Sequence, residues 1–173
     1  MAKRHIVLVG LSGAGKTAAG RRAAELLGAP FIDIDAMIEA RSGKSIAHIF
    51  AEDGERAFRW LEAGVGKEVL AGAPSVIATG GGFFEDASLR WRCLESACVV
   101  YLQTDPGVAA ARLVGSADRP LLRGAEPEGR LRELLAVREA AYLQAQKRFR
   151  TDALRLDEVA ERIYELARAE GGW

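Results

Sequence analysis

Near the start of the chain the sequence reads Ile6-Val-Leu-Val-Gly-Leu-Ser-Gly-Ala-Gly-Lys16-Thr17. The first four residues of this stretch are a continuous apolar run, which predicts a short strand buried on both faces. The remainder fits G-x-x-x-x-G-K-[ST], a pattern in which glycines let the backbone form a nest of N–H groups around phosphate oxygens. Alanine and leucine at helical spacing follow over Lys16–Leu27, and Gly28 suits the end of that helix.

Individual residues of this phosphate loop have different predicted tasks. We expect the backbone N–H groups of Gly13, Ala14 and Gly15 to surround phosphate oxygens. Lys16 would reach the outer phosphates, and the Thr17 hydroxyl would bind Mg²⁺ at the start of the helix. A flexible glycine turn without a ligand is the alternative. The buried strand before the loop and the amphipathic helix after it argue against that alternative.

Further predicted strands alternate with helices along the chain. Strands are predicted at 31–35, 75–79 and 97–102, and a helical insert at about 36–71 has breaks near 42–43 and 53–54. Helices are also predicted at 106–114, 130–147 and 156–169, with a mobile lid at about 115–129 and a frayed tail at 171–173. This alternation predicts one α/β domain, 1–173, in three layers, with a central, mostly five-stranded parallel sheet between helices.

Composition and charge limit the classes of partner. The 173 residues include 24 Lys and Arg against 24 Asp and Glu, so the formal net charge is zero. Because non-specific binding to nucleic acid or to an anionic membrane needs a basic surface, we expect neither partner. No apolar run approaches the ~18 residues of a membrane-spanning helix. Cys93 and Cys98 are predicted to be buried thiols, and we expect a cytoplasmic monomer.

A phosphate loop by itself is compatible with a GTPase, an ATPase or a small-molecule kinase. The chain contains no asparagine, which excludes the Asn-Lys-x-Asp motif that GTPases use for guanine. No surplus domain is predicted that could convert hydrolysis into motion. These observations favour phosphoryl transfer to a small acceptor molecule.

Two carboxylates and an arginine are candidates for the acceptor side. Asp33 and Asp35 have i,i+2 spacing at the end of the second predicted strand, so both are expected to point the same way. One suits the water shell of Mg²⁺ and the other a substrate hydroxyl, although either could cap the next helix. Arg59 lies one helical turn from Glu55 and Glu62, which could aim its guanidinium at a substrate carboxylate or form an exposed ion-pair face.

Three further features follow downstream. Gly80-Gly-Gly82 would let a ligand approach the backbone closely at the end of the third predicted strand. Arg119, in Arg119-Pro-Leu-Leu, would bring positive charge over the phosphates when the lid closes. Arg138 and Tyr142 share a helix face at i,i+4 and could equally be a surface pair.

In their order along the chain, these motifs resemble those of the shikimate kinases. The resemblance rests on the phosphate loop, Phe31-Ile-Asp-Ile-Asp35, Gly54-Glu-x-x-Phe-Arg59-x-x-Glu62, Thr79-Gly-Gly-Gly82, Arg119-Pro-Leu-Leu and Arg138-x-x-x-Tyr142. It implies a P-loop NTPase fold. It also implies transfer of the γ-phosphoryl group of ATP to the 3-hydroxyl of shikimate, with Mg²⁺ as cofactor, in aromatic amino-acid biosynthesis.

The resemblance implies a role for each candidate residue. Lys16 and Thr17 would serve ATP and Mg²⁺, with Asp33 holding waters of the metal. Asp35 would bind the shikimate hydroxyls and act as base or orienting group at the 3-hydroxyl. The further implied contacts are the shikimate carboxylate with Arg59 and Arg138, the shikimate ring with the backbone of Gly81 and Gly82, the transferring phosphoryl group with Arg119, and adenine with Arg112.

Two stretches depart from the family pattern. Phe83 and Phe84 follow the glycines where smaller residues are more usual, and 144–155 is short and basic where the family has a valine-rich final strand. Packing near the substrate and the fifth strand are therefore the parts of the expectation that the sequence leaves open.

Two other functions fit part of the pattern. A small kinase acting on gluconate would also present a carboxylate to Arg59, whereas the glycine triplet and the Arg119-Pro pair favour shikimate. A ligand-sensing regulator without turnover is the second alternative, and the presence of every expected catalytic side chain argues against it. A purely structural role would not need an intact phosphate loop.

Overall fold

The computed structural model describes residues 2–114 and 126–173, and the centre of these residues is a five-stranded parallel sheet. The strands, in chain order, are β1 (His5–Val9), β2 (Phe31–Asp33), β3 (Val76–Ala78), β4 (Ala97–Gln103) and β5 (Lys147–Arg150). In the sheet they lie in the order β2-β3-β1-β4-β5, with β1 at the centre. The predicted parallel sheet is confirmed.

Helices connect the strands and cover both faces of the sheet. Within the described residues they are α1 (Lys16–Leu27), α2 (Ile34–Ser42), α3 (Ile46–Glu52), α4 (Gly54–Ala71), α5 (Ala87–Ser96), α6 (Pro106–Arg112), α7 (Pro127–Tyr142) and α8 (Leu156–Glu170). A 3₁₀ turn, Phe83–Glu85, lies between β3 and α5. The helices α2 to α4 occupy the predicted helical insert, and the two breaks lie at the predicted positions.

Both faces of the sheet carry a hydrophobic core, which explains the continuous apolar run of β1. Successive side chains of a strand point to opposite faces. Ile6 and Leu8 belong to the core shared with α1 and α8, whereas Val7 and Val9 belong to the core on the other face, shared with α4, α5 and α7. The result is the predicted three-layer arrangement.

The second strand is shorter than the predicted 31–35, and this changes the position of Asp35. Strand β2 ends at Asp33, whose carboxylate accepts a hydrogen bond from the backbone N–H of Ala36 at 3.1 Å. Asp33 is thus the N-cap of α2, and Ile34 is its first helical residue. Asp35 therefore lies in the first helical turn, and the prediction that both aspartates point the same way from one strand is wrong.

The boundaries of α7 also differ from the predicted ones. The last part of the predicted lid, 127–129, is the first turn of α7, where the Glu126 side chain accepts hydrogen bonds from the backbone N–H groups of Glu128 and Gly129. The remaining lid residues, 115–125 with Arg119, lie outside the described residues. At its other end α7 stops at Tyr142, five residues before the predicted end.

Residues 147–150 form the fifth strand, whereas the predicted helix extended to 147 and left 148–150 without an assigned element. Phe149 packs against the core with α1 and α8, whereas Arg148 and Arg150 are exposed. Strand β5 pairs with β4 at the edge of the sheet, where basic side chains can remain solvated. Burial along β5 alternates with the strand period of two, but Phe149 is its only apolar residue, so the sequence carries a weak strand signal there.

Residues 171–173 are ordered by contacts with the start of the chain, so the predicted frayed tail is wrong. The indole N–H of Trp173 donates to the backbone oxygen of Arg4 at 2.9 Å, and the Lys3 ammonium lies 4.4 Å from the centre of the indole ring. Gly171 is buried and accepts a hydrogen bond from the Arg4 backbone N–H.

The two cysteines are buried and unpaired, as predicted. Burial raises the pKa of the Cys93 thiol to about 12, so it is protonated at neutral pH. Among the described residues, no helix has the length and apolar character required to cross a bilayer.

Candidate active site

The phosphate loop joins β1 to α1 and needs glycine at defined points. Gly13 has φ 82°, and a Cβ there would lie 2.5 Å from the backbone oxygen of Ala109. Gly10 has φ 140°, and its Cβ would lie 2.6 Å from the backbone oxygen of Leu102. Larger residues would collide with these carbonyls and disfavour the left-handed backbone, so the loop can approach β4 and α6 only with glycine.

Lys16 is the first residue of α1 and is 7% exposed. Its ammonium donates to the backbone oxygens of Gly10 and Leu11, both at 2.7 Å. These contacts hold the cation against the loop itself. A positive charge in this position can stabilise phosphate oxygens bound by the backbone N–H groups of the loop.

Thr17 and Asp33 lie together at the carboxyl ends of β1 and β2. The Thr17 hydroxyl donates to Oδ2 of Asp33 at 2.6 Å. A hydroxyl and a carboxylate are hard oxygen ligands of the type that Mg²⁺ prefers, and Mg²⁺ commonly retains several waters and phosphate ligands. The described residues contain no group of three or more His, Cys, Asp or Glu side chains that could hold a metal ion by themselves. The pair therefore fits a metal bound mainly through nucleotide and water.

A cavity of about 700 Å³ extends from the phosphate loop between α2 and α8. Its polar part contains Lys16, Thr17, Asp33 and Asp35. Its other part is largely apolar and is lined by Arg112, Leu113, Thr151, Leu154, Leu156 and Val159. The size and the division into a charged end and an apolar end suit a nucleotide.

Arg112 is held at the apolar end of this cavity. Its Nη2 donates to the backbone oxygen of Thr151 at 3.0 Å. The Thr151 hydroxyl in turn shares a 2.7 Å hydrogen bond with the Thr104 hydroxyl, which ties the end of β4 to the end of β5. The guanidinium is thus fixed through hydrogen bonds to Thr151, and a guanidinium is a group that can stack on a planar ring.

The glycine triplet after β3 provides room for two guanidinium groups. A Cβ at Gly82 would overlap the guanidinium of Arg59. A Cβ at Gly81 would lie 3.2 Å from Nη1 of Arg138 and 3.4 Å from Oγ of Ser12 in the phosphate loop. The triplet therefore brings together arginines 79 positions apart in sequence and places one of them beside the phosphate loop.

Gly80 also lacks a side chain, and this leaves space for two carboxylates. Its Cβ would lie 2.8 Å from Oε1 of Glu62 and 3.0 Å from Oδ1 of Asp35. These two oxygens are therefore at most about 6 Å apart, and the Asp35 charge disfavours the ionised form of Glu62. Although Asp35 begins a helix instead of ending a strand, the structure brings it to the glycine triplet with the predicted arginines.

Arg59 is held by two carboxylates of its own helix. It donates through Nη1 to Glu62 at 2.7 Å and through Nη2 to Glu55 at 3.2 Å. The Glu62 side chain is 3% exposed, so the alternative of an exposed ion-pair face does not apply to this pair. Burial raises the pKa of Glu62 to about 7, the Arg59 charge opposes this rise, and the Asp35 charge adds to it.

Arg138 is held by Glu85, a residue that the sequence did not connect with it. The arginine is 4% exposed, and its Nε donates to Oε2 of Glu85 at 2.8 Å. One turn later on α7, the Tyr142 hydroxyl donates to the backbone oxygen of Gly81. Both side chains are buried, so the alternative of a surface pair is wrong. Glu85 is 53 positions from Arg138, and no spacing rule relates the two.

The two phenylalanines after the triplet belong to the core. Phe83 and Phe84 are 1% and 0% exposed, and Phe83 fills the space beside Gly66 of α4. They anchor the 3₁₀ turn that carries Glu85. Arg119, the remaining predicted site residue, lies outside the described residues.

The geometry thus combines a nucleotide-sized cavity with two arginines and two carboxylates at a glycine triplet. Comparison of the sequence with known proteins identifies the family that has these motifs. The family described as "Shikimate kinase" matches residues 12–168. The chain belongs to the shikimate kinase family. A shikimate kinase of Symbiobacterium thermophilum is 44% identical over 170 residues, which are 96% of this chain and 98% of the relative. Another, of Bradyrhizobium diazoefficiens, is 42% identical over 96% of this chain and 80% of its own.

Solved structures of shikimate kinases have the same fold. The enzyme from Acinetobacter baumannii, described in complex with shikimate, is similar with a TM-score of 0.93 and 37% identity over 97% of this chain and 94% of its own. A gluconokinase from Sinorhizobium meliloti covers 96% of this chain and 93% of its own with a TM-score of 0.63 and 22% identity, which is a likeness of fold alone.

Proposed function

We infer that this protein transfers the γ-phosphoryl group of ATP to the 3-hydroxyl of shikimate, forming ADP and shikimate 3-phosphate. Membership of the shikimate kinase family supports this function. The observation that carries it is the position of Gly81, which lies between Ser12 of the phosphate loop and Arg138. A carboxylate held at the glycine triplet would therefore be beside the phosphates of a nucleotide.

The acceptor carboxylate would lie between Arg59 and Arg138, because paired guanidinium groups bind carboxylates with strong, directional hydrogen bonds. The backbone of Gly81 and Gly82 would face the ring, since neither glycine has a side chain in the way. Asp35 would orient the 3-hydroxyl and accept its proton as that oxygen bonds to the γ-phosphorus. The bond from the γ-phosphorus to the bridging oxygen of ADP breaks in the same transfer.

The nucleotide side would be organised by the phosphate loop. Backbone N–H groups of Gly13, Ala14 and Gly15 would bind phosphate oxygens, and Lys16 would stabilise the charge that develops on transfer. Bound Mg²⁺ neutralises phosphate charge; Thr17 would hold it directly and Asp33 through water.

Two further arginines have proposed roles on this side. Arg112 would lie against adenine at the apolar end of the cavity, anchored by the backbone of Thr151. For Arg119 the role toward the transferring phosphoryl group stays a prediction. We further propose that the protein acts in the cytoplasm and as a monomer. Sedimentation at micromolar concentration would test the monomeric state.

A coupled assay of ADP release tests the function. We expect release with ATP, Mg²⁺ and shikimate, and none above background with gluconate or without an acceptor. Release with gluconate alone would support the related sugar-acid kinase. Binding of ATP and shikimate without release of ADP would support the sensor and contradict the proposed reaction.

A further inference from the structure

Glu85 connects the glycine triplet to Arg138 without belonging to any motif that identified the site. It is the last residue of the 3₁₀ turn Phe83–Glu85, three positions after Gly82. Its carboxylate accepts a 2.8 Å hydrogen bond from Nε of Arg138, whose side chain is 5% exposed, whereas the Glu85 side chain is 36% exposed. A buried cation on α7 is thus paired with a partly exposed anion on another element.

The atom that Glu85 binds decides which edge of the guanidinium remains for a substrate. A guanidinium has five N–H donors, and a carboxylate can bind two of them side by side. Glu85 binds Nε, whereas Nη1 of Arg138 lies at Gly81. Nη1, an atom to which Glu85 is not bonded, therefore faces the triplet.

The turn that carries Glu85 is itself fixed. Phe83 and Phe84 are fully buried, and the Arg90 guanidinium donates to the backbone oxygens of Phe84 at 2.8 Å and of Glu85 at 3.1 Å. A carboxylate on so rigid a turn can set the position of the arginine that it binds.

We propose that Glu85 is a positioning residue for the acceptor: it holds Arg138 by Nε so that the Nη1–Nη2 end binds the shikimate carboxylate. This inference rests on the proposed function and on the proposed role of Arg138. It extends the site by a residue that contacts no substrate atom itself.

A competing role for Glu85 is physically reasonable and predicts the opposite change in KM for shikimate when Glu85 is removed. If Glu85 merely neutralised Arg138, it would compete with the substrate carboxylate, and its removal would strengthen shikimate binding. If Glu85 positions the guanidinium, its removal lets the side chain leave the productive geometry, and shikimate binding weakens. The direction of the change in KM therefore separates the two roles.

The test compares Glu85→Ala and Glu85→Gln with the parent enzyme. We expect KM for shikimate to rise about tenfold in Glu85→Ala and less in Glu85→Gln, which keeps a hydrogen-bond acceptor. The KM for ATP and kcat should stay within about twofold, because the altered contact lies on the acceptor side. Glu68→Gln is the matched control, since Glu68 forms a 2.6 Å ion pair with Arg41 on an exposed part of α4.

A substrate analogue and a double variant show whether the effect passes through Arg138. The methyl ester of shikimate lacks the carboxylate charge, so its kcat/KM should be the same for the parent and for Glu85→Ala. In an Arg138→Ala background, adding Glu85→Ala should leave the Kd for shikimate, measured by calorimetry, unchanged. If the substitution instead disturbed the structure, kcat/KM would fall alike for shikimate and for its methyl ester. The effect on the Kd for shikimate would then add to that of Arg138→Ala.

The outcomes distinguish this inference from the proposed function. A parent enzyme that releases no ADP with shikimate overturns the function and this inference together. An active parent whose Glu85→Ala variant has an unchanged or lower KM for shikimate overturns the inference alone. A raised KM that persists for the ester, or that adds to Arg138→Ala, also overturns it.

Discussion

Lys16 is the residue whose charge the proposed reaction needs most directly. Its ammonium lies within the phosphate loop, where it can neutralise charge on the transferring phosphoryl group. We expect Lys16→Ala to lower kcat by about 10²–10³-fold, the effect of removing one well-placed electrostatic contact. The ADP-release assay measures this, with Lys67→Ala, an exposed lysine of α4, as control. More than a tenth of the parent activity in a folded Lys16→Ala variant would contradict the role.

Glu62 should make the free energy of unfolding depend on pH. Its pKa rises from the ordinary 4.5 to about 7 on folding, mainly because it is buried. Between these values the folded protein keeps a proton that the unfolded chain has released, so this residue's contribution to the free energy of unfolding falls as pH rises.

A Glu62→Gln variant cannot titrate at this position and isolates the effect. From pH 4.5 to pH 7, its free energy of unfolding should rise relative to that of the parent, as measured by urea unfolding. Glu68→Gln should show no such trend, because the Arg41 partner holds the pKa of Glu68 below its usual range. Parallel profiles for Glu62→Gln and the parent would show that Glu62 is ionised across this window.

The site depends on loops at the carboxyl ends of three neighbouring strands. The phosphate loop follows β1, Asp33 ends β2 with Asp35 just after it, and the glycine triplet follows β3. These strands are adjacent in the order β2-β3-β1. Parallel strands direct these loops to one edge of the sheet. This is why motifs separated by tens of residues form one site.

The glycine triplet is the element whose substitution tests this arrangement. Gly82→Ala places a methyl group where the Arg59 guanidinium lies, so we expect KM for shikimate to rise at least tenfold while KM for ATP changes little. Gly64→Ala is the control, because a Cβ at this helical position of α4 meets no atom within 4 Å. Its activity should equal that of the parent, and its stability should be equal or slightly greater. Normal shikimate binding by Gly82→Ala would remove Arg59 from the acceptor site.

Sequence periodicity predicted β1, α1 and the helical breaks well, because each has a strong local cause. The apolar run, the glycine loop and the left-handed glycines Gly43 and Gly54 are such causes. Sequence periodicity failed where tertiary contacts determine whether a strand forms and where it ends. Asp33 caps α2 and thereby ends β2, and β5 forms because Phe149 packs on the core while its basic neighbours lie at an edge.

The contacts of the site could likewise be predicted from the sequence only where they are local. Arg59 and Glu62 are one turn apart on a helix, so their contact followed from spacing. Glu85 and Arg138 meet only through the packing of the 3₁₀ turn against α7, which no local pattern records.

The two ends of the described chain contact each other across the molecule. Trp173 bonds to the backbone of Arg4 and packs with the Lys3 side chain, next to the core between the sheet and α8. We expect Trp173→Ala to lower the free energy of unfolding by about 1–2 kcal/mol. Trp91→Ala is the control, because this tryptophan is 59% exposed on α5. Equal unfolding curves for both variants would show that the contact adds no stability.

In the proposed reaction, the arginines, the glycine triplet and Asp35 present one hydroxyl of shikimate to the γ-phosphoryl group. Nuclear magnetic resonance of the product tests it directly, because coupling between phosphorus and ring protons identifies the phosphorylated oxygen. We expect a single product in which phosphorus couples to the proton on carbon 3. Phosphorylation at another hydroxyl, or a mixture of products, would contradict it.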